Sequence, residues 1–335
     1  MRRKKNVLGL LDLEVARLEK EGRISRRAKI LATRNSVESF LAEQGMTDLM
    51  PKEVDSDLIC SYEKWLQDNG LKPNSTAFYL RMLKAVLNGA AKEGLIRGQT
   101  HFGPAFKKVT INPVEVVQAT VISREAFKTL RNLDIEECLR KAGKNPMEAV
   151  TNRMMAKIET VRDLFVFSFA AQGIEFVDLC YLRKEDVSNG CISYVRKTTS
   201  KRVTVRILPV MQEIMDRYPS DSPYLFPLLT GGTNEEVYKQ YKRWQKDDNR
   251  FLKMLGQWLP GEVALLPSTA RETWTAEACR NLMPLEDIAQ SLGLKDDTAV
   301  TVYLKKYNFV SAEEVKRQIE ENFFGVTLSP PSDHS

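Results

Sequence analysis

The sequence predicts a mainly helical protein with a small β-sheet, an α+β chain divided into two domains. Three observations predict it. Apolar residues recur at helical spacing through most of the chain. Only one stretch, residues 191–209, carries paired runs of β-type composition. The 335 residues also exceed the roughly 250–300 that a single core usually supports. At 43% hydrophobic and 28% charged, the chain has ample apolar material for folded cores, which excludes wholesale disorder. No apolar run reaches the roughly 18–20 residues a membrane helix needs. The N-terminus, MRRKKNVLGLLDLEVARLEKEG, is basic and then acidic and amphipathic, with no signal-peptide core or cleavage site. No membrane partner and a cytoplasmic location are expected.

The elements follow in order. Leu10, Leu11, Leu13, Val15 and Leu18 mark an amphipathic helix over 9–20. Ile30, Leu31, Val37, Phe40 and Leu41 share one face of a second, over 25–44. Asp55 and Ser56 open a third, whose apolar positions are Leu58, Ile59, Tyr62, Trp65 and Leu66, and Gly70 ends it. The segment Lys72-Pro73-Asn74-Ser75-Thr76 opens a fourth, running from about 75 to 93 through Phe78, Leu80, Leu83, Val86 and Leu87 to Gly94. Residues 95–120, with Gly and Pro and little helical signal, read as an extended linker. A short helix follows Ser123, and a long one spans 151–172, its second half apolar on every side and therefore buried. The β-type runs 191–197 and 201–209 are joined by Thr198-Thr199-Ser200. Helices are expected after Pro209 and over 234–256, 268–281, 284–292 and 296–305. Ser311 with Glu314 forms a capping box for a last helix to about Phe323.

Charge and rare residues narrow the chemistry. Residues 1–112 hold 20 Lys+Arg against 13 Asp+Glu, while the remainder holds 30 against 31. The basic first third suits a polyanion partner, most often nucleic acid. On the fourth helix Arg81, Lys84 and Lys92 are placed to meet phosphates, with Lys72 at its start and Lys107 and Lys108 in the following segment. The five Cys form no CxxC pair and read as reduced thiols. The two His are His101 and His334. His pairs, His–carboxylate dyads and His-rich metal sites therefore have almost no material, and no metal or cofactor is expected.

Three later segments, read together, resemble the catalytic domain of tyrosine recombinases, the phage-integrase family, in the branch of Bacteroides-type mobile-element integrases. FSFAAQGIEFVDLCYLRKEDV (167–187) resembles the first motif, with Asp-Leu and then Leu-x-x-x-Asp-Val. YVRKTTSKRVTV (194–205) is similar to the β-hairpin that carries a lysine. STARETWTAEACRNLMPLEDIAQSLGLKDDTAVTVYL (268–304) resembles the Arg-x-Thr-Trp motif, the following Leu-Gly helix and the nucleophile segment. DSDLICSYEKWLQDNGLKPNSTAFYLRMLKAVLNGAAKEGLI (55–96) resembles the family's helical core-binding domain, which clamps DNA opposite the catalytic domain.

The resemblance implies a helical, SAM-like DNA-binding domain over 25–110, a linker at 111–120 and a catalytic domain over 121–325. A basic segment, 1–24, precedes them and a flexible tail, 326–335, follows. Residues before about 25 are too few for the additional arm-binding domain many integrases of this branch carry. The implied partner is double-stranded DNA, bound as a homo-oligomer or with another recombinase, in the nucleoid. The last helix, with Val315, Ile319, Phe323 and Phe324 as an apolar stripe, would dock between protomers.

The implied chemistry is metal-free phosphodiester exchange. A Tyr hydroxyl attacks phosphorus, two Arg neutralise the non-bridging oxygens, and the hairpin Lys protonates the leaving 5′-oxygen. Tyr303 stands at the nucleophile position, with Tyr307 as its nearest competitor. Arg271 stands at the second Arg and Lys197 at the hairpin Lys; if the hairpin register slips, Lys201 or Arg202 takes its place. Four positions depart from the pattern. Gln172 stands where the first Arg belongs, Ser268 and Glu272 flank Arg271 where His is common, and Leu294 replaces the final His or Trp. Losing one such contact costs about 2–4 kcal/mol, or two to three decades in rate. Two readings follow: an impaired recombinase that keeps its DNA clamp, or an active integrase in which Arg196 or Arg202 replaces the missing Arg. In the first, Glu272 would repel the phosphate or occupy Arg271.

Overall fold

The computed structural model describes residues 6–96, 101–111, 120–145, 147–297 and 299–301. The chain divides near residue 116 into two compact units. Among the described residues no helix is long and apolar enough to cross a membrane.

The first unit is helical. It holds α1 (Val7–Lys20), α2 (Ile24–Glu43), α3 (Ser56–Asp68) and α4 (Pro73–Lys92). Side-chain oxygens close two of the helix starts: Asn6 accepts from the Gly9 N–H and Asp55 from the Leu58 N–H. Pro73 in the first turn of α4 gives up an N–H that has no helical partner there. Val7, Leu10, Leu11, Leu18, Ile30, Phe40, Ile59, Leu66, Leu80 and Leu87 form the core. Helix α1 is thus built into this core, so the helical domain begins ahead of residue 25.

The expected linker also begins later than its composition suggests. Phe102, Ala105, Phe106 and Val109 are buried in the same core, around a 3-10 turn at Pro104–Phe106. The Phe102 N–H donates to Asn88 Oδ1 at 2.7 Å. These apolar residues follow no helical period, which is why the stretch reads as a linker.

The second unit is α+β. Its helices are α5 (Arg124–Arg131), α6 (Ile135–Lys141), α7 (Ala149–Ala170), α8 (Phe176–Tyr181), α9 (Pro209–Arg217), α10 (Asn234–Gln257), α11 (Thr269–Arg280) and α12 (Leu285–Ser291). Helix α7 is the hub: α5, α6, α9, α10 and α11 pack on it, and Val161, Leu164, Phe165, Val166 and Phe167 bury its second half. Helices α6 and α8, at seven and six residues, are too short to show a period and were not expected from the sequence.

The sheet is an antiparallel meander of β1 (Val187–Ser188), β2 (Cys191–Val195) and β3 (Arg202–Arg206). Its register pairs Ile192 with Val205, Tyr194 with Val203 and Val195 with Arg202. The buried face carries Ile192, Tyr194, Val203 and Val205, while Ser193 and Thr204 pair on the outer face at 3.0 Å. Residues 196–201 close the hairpin, with the Arg196 N–H donating to the Lys201 carbonyl at 2.8 Å. Tyr303, Tyr307, the docking helix at 311–323 and the tail lie outside the described residues.

Candidate functional site: an arginine-locked turn beside a hairpin lysine

The positions flagged in the sequence lie on four pieces of the second unit: the turn after α7, the hairpin, α11 and the end of α12. Helix α7 ends in two left-handed residues, Gln172 (φ 58°) and Gly173 (φ 74°). Gly173 is required there. A Cβ would stand 2.5 Å from Arg271 Cα, so the α7 turn and α11 touch backbone to backbone. The Gln172 main-chain N–H donates to the Phe169 carbonyl at 3.1 Å, and its side chain is half-buried.

Arg271 is 4% exposed. Its Nη1 donates to the Gly173 carbonyl at 2.9 Å and its Nη2 to the Leu292 carbonyl at 2.6 Å. One guanidinium therefore ties the end of α7 to the end of α12. On the same helix, Glu272 Oε2 accepts the Thr120 N–H at 2.9 Å, and Thr273 Oγ1 accepts the Ile122 N–H at 3.2 Å. Neighbouring residues of α11 thus hold the chain as it enters the second unit. That contact gives the 8%-exposed Glu272 carboxylate a structural task.

Arg196 continues the inward alternation of Ile192 and Tyr194 and is 3% exposed. Its Nη1 donates to the carbonyls of Leu292 (2.9 Å) and Gly293 (3.0 Å), and its Nη2 to Glu175 Oε1. Its Nε lies 3.8 Å from Asp178 Oδ2. The guanidinium is therefore built into the packing of the hairpin against the end of α12. Arg202 lies on the exposed face of β3, opposite Val195. Arg196 and Arg271 meet at the Leu292 carbonyl. Thr199 Oγ1 adds a bond to the Gly293 carbonyl at 2.7 Å, so the hairpin loop is fixed to the end of α12. Ser268 is exposed at the start of α11, and Leu294 is half-buried in a small apolar cluster with Ile288, Leu292 and Val300.

Lys197, next in sequence to Arg196, faces outward. Its N–H donates to Asp178 Oδ1 at 2.9 Å, and its Nζ lies 3.9 Å from the centre of the Tyr181 ring. Burial of the ammonium lowers its pKa, against the opposing pull of Asp178. Burial likewise raises the Asp178 carboxyl and pushes the Tyr181 hydroxyl up to about 12. Lys201 and Arg202 lie across the hairpin from this contact. Asp178 and Tyr181 were within reach of the sequence, since both stand in the first motif three residues apart. Their meeting with Lys197 was not, because it depends on how α8 packs under the hairpin. Among the described residues no cluster of His, Cys, Asp and Glu is arranged to hold a metal ion.

In the first unit Arg81, Lys84, Lys107 and Lys108 lie on or against the 104–111 segment. Arg81 Nη1 donates to the Ile111 carbonyl at 2.5 Å, and Lys84 Nζ stands 5.7 Å from the Phe106 ring. Lys107 is exposed, and Lys108 pairs loosely with Asp57 at 3.4 Å. Lys72 lies at the other end of that stretch of α4, about 13 Å from Arg81 along the axis. Arg81 therefore has an anchoring role that its helical position did not reveal.

The fold defined by these two units is that of the tyrosine recombinases. Residues 6–107 match the phage integrase SAM-like domain. Two solved structures of the Tn1549 transposon integrase are similar across 95% of this chain and 99% of theirs, each at 14% identity. One is in complex with a circular intermediate DNA (TM-score 0.56) and the other with transposon right end DNA (TM-score 0.57). A lambda integrase dimer bound to a COC′ core site is similar over 88% of this chain and 75% of that one, at 13% identity and a TM-score of 0.51. No curated protein sequence matches the chain.

Proposed function

We propose that this chain is a DNA-binding protein of the tyrosine site-specific recombinase family, acting in integration or recombination of a mobile element with impaired strand transfer. The DNA part of the reading is supported by the SAM-like domain match, the basic first third, and a fold shared with integrases solved on DNA. The impairment rests on one observation. The first arginine position holds Gln172, and the two arginines nearby, Arg196 and Arg271, each hold backbone carbonyls in a buried turn. A neutral amide can donate a hydrogen bond to a phosphate oxygen but cannot offset its developing charge.

A second reading is favoured by the hairpin. Lys197 has its proton-donating end seated and its pKa lowered, as an active integrase working through Tyr303 would need. Both readings place Tyr303 at the nucleophile position and expect oligomers on DNA.

The test begins with selection of a preferred duplex from random sequence. Binding should weaken steeply with added salt, since phosphate contacts dominate such interfaces. A nicked suicide version of that duplex then separates the readings. Binding without an SDS-stable adduct supports impairment. An adduct that disappears in Tyr303→Phe supports the active integrase. Salt-insensitive binding, or none, contradicts both.

A further inference from the structure

One short helix holds Lys197 at both ends. Helix α8 carries Asp178 and Tyr181 three residues apart, so the two side chains leave the same face. Asp178 accepts the Lys197 main-chain N–H and fixes where the side chain starts. The Tyr181 ring lies under the ammonium, 3.9 Å from its centre, whereas the other lysine and arginine contacts to rings among the described residues stand at 5.1–5.7 Å. The ring is itself fixed. Tyr224 meets it edge-on at 6.2 Å and Tyr241 at 5.8 Å.

We propose that Tyr181 is a positioning residue, whose ring face seats the Lys197 ammonium for donation of a proton to a leaving 5′-oxygen. This rests on the reading of Lys197 as the hairpin lysine of a recombinase site. In the step, the nucleophile's oxygen bonds to phosphorus as the P–O5′ bond breaks, and the Nζ–H bond breaks as the 5′-O–H bond forms. A neutral amine remains, and burial favours that form. A flat aromatic face suits this task. It attracts the cation while offering no acceptor lone pair that would hold its proton. An Asp or Glu in the same place would bind the ammonium more tightly and raise its pKa. Asp178 on α8 and Arg183 just beyond it are the charged groups bearing on Lys197, with opposite effects, and neither changes when Tyr181 is substituted.

The test reads the lysine directly and needs no cleavage. The full-length wild type, Tyr181→Phe and Tyr181→Ala are pulsed with acetic anhydride across the lysine pH range, and modification of Lys197 is followed by peptide mass spectrometry. Wild type and Tyr181→Phe should share a midpoint below the ordinary lysine value. Tyr181→Ala should move it upward, because water returns to the ammonium. A midpoint unchanged in a folded Tyr181→Ala, or Tyr181→Phe moving as far as Tyr181→Ala, overturns the proposal. If Tyr181→Ala fails to fold by circular dichroism, Tyr181→Leu replaces it. Leu keeps the burial but loses the face, so the midpoint should then fall further, and no movement overturns the proposal. The recombinase reading fails separately, if the wild type shows neither salt-sensitive duplex binding nor an adduct.

Discussion

Arg196 and Lys197 are neighbours in sequence, carry the same charge and end in opposite situations. Strand alternation turns Arg196 inward, where two carbonyls and the Glu175 carboxylate receive its N–H groups. Lys197 turns outward and rests on a ring that accepts no hydrogen bond of ordinary strength. Arg271 belongs with Arg196, bound to the same Leu292 carbonyl. Cations in this site have thus been divided between two tasks. The guanidinium groups hold the α7 turn, hairpin and α12 together, and the ammonium is kept presentable. A fixed fork of donors suits the first task and a single movable charge the second.

Substitution should expose that division. Arg271→Met and Arg196→Met leave buried carbonyls, and for Arg196 the partly exposed Glu175 carboxylate, without their donor. Each should cost about 3–5 kcal/mol of stability in urea unfolding. A loss below about 1 kcal/mol would show that the arginines are not structural. Gly173→Ala attacks the same junction from the other side. Its methyl would meet Arg271 at 2.5 Å in a left-handed conformation, so a loss of about 2–4 kcal/mol is expected in the same assay.

A third prediction concerns pH. Asp248, on α10, is buried with Oδ2 unbonded, and burial alone pushes its pKa to about 8. The folded state therefore holds a proton that the unfolded chain releases near its ordinary value of about 3.9. Its contribution is fully present below that value and is lost as pH rises to about 8, at up to about 1.4 kcal/mol per unit. Asp248→Asn should remove this slope; an identical pH–stability curve in the variant would contradict it. The smallest effect is reserved for the presented cation. Lys197→Ala should change stability by no more than about 0.5 kcal/mol, and a loss comparable to that of Arg196→Met would dissolve the contrast.

Much of this architecture is legible in the sequence. Helices such as α2, α3 and α4 announce themselves by apolar period, α7 by an apolar run, and β2 and β3 by composition. Helices α6 and α8 escape because six or seven residues cannot show a period. The packing of Phe102, Phe106 and Val109 escapes because irregular backbone buries residues without one. The site divides in the same way. The motif resemblance singles out Gln172, Lys197, Arg271 and Tyr303 as candidates. Strand alternation from Ile192 and Tyr194 would have turned Arg196 inward. The acceptors that hold Arg196 and Arg271, Leu292 and Gly293 above all, are backbone atoms brought together by tertiary packing. No residue type advertises them.

We propose that strand transfer is impaired on the arginine side, with Gln172 as the lesion, while the lysine side is intact. Trapping on a nicked suicide duplex tests it most directly, with wild type and Gln172→Arg compared at equal occupancy. We expect binding by both proteins and a Tyr303-dependent covalent adduct only with Gln172→Arg, a gain of about one and a half to three decades in rate for a phosphate contact of about 2–4 kcal/mol. A wild-type adduct forming as fast as that of Gln172→Arg would contradict it.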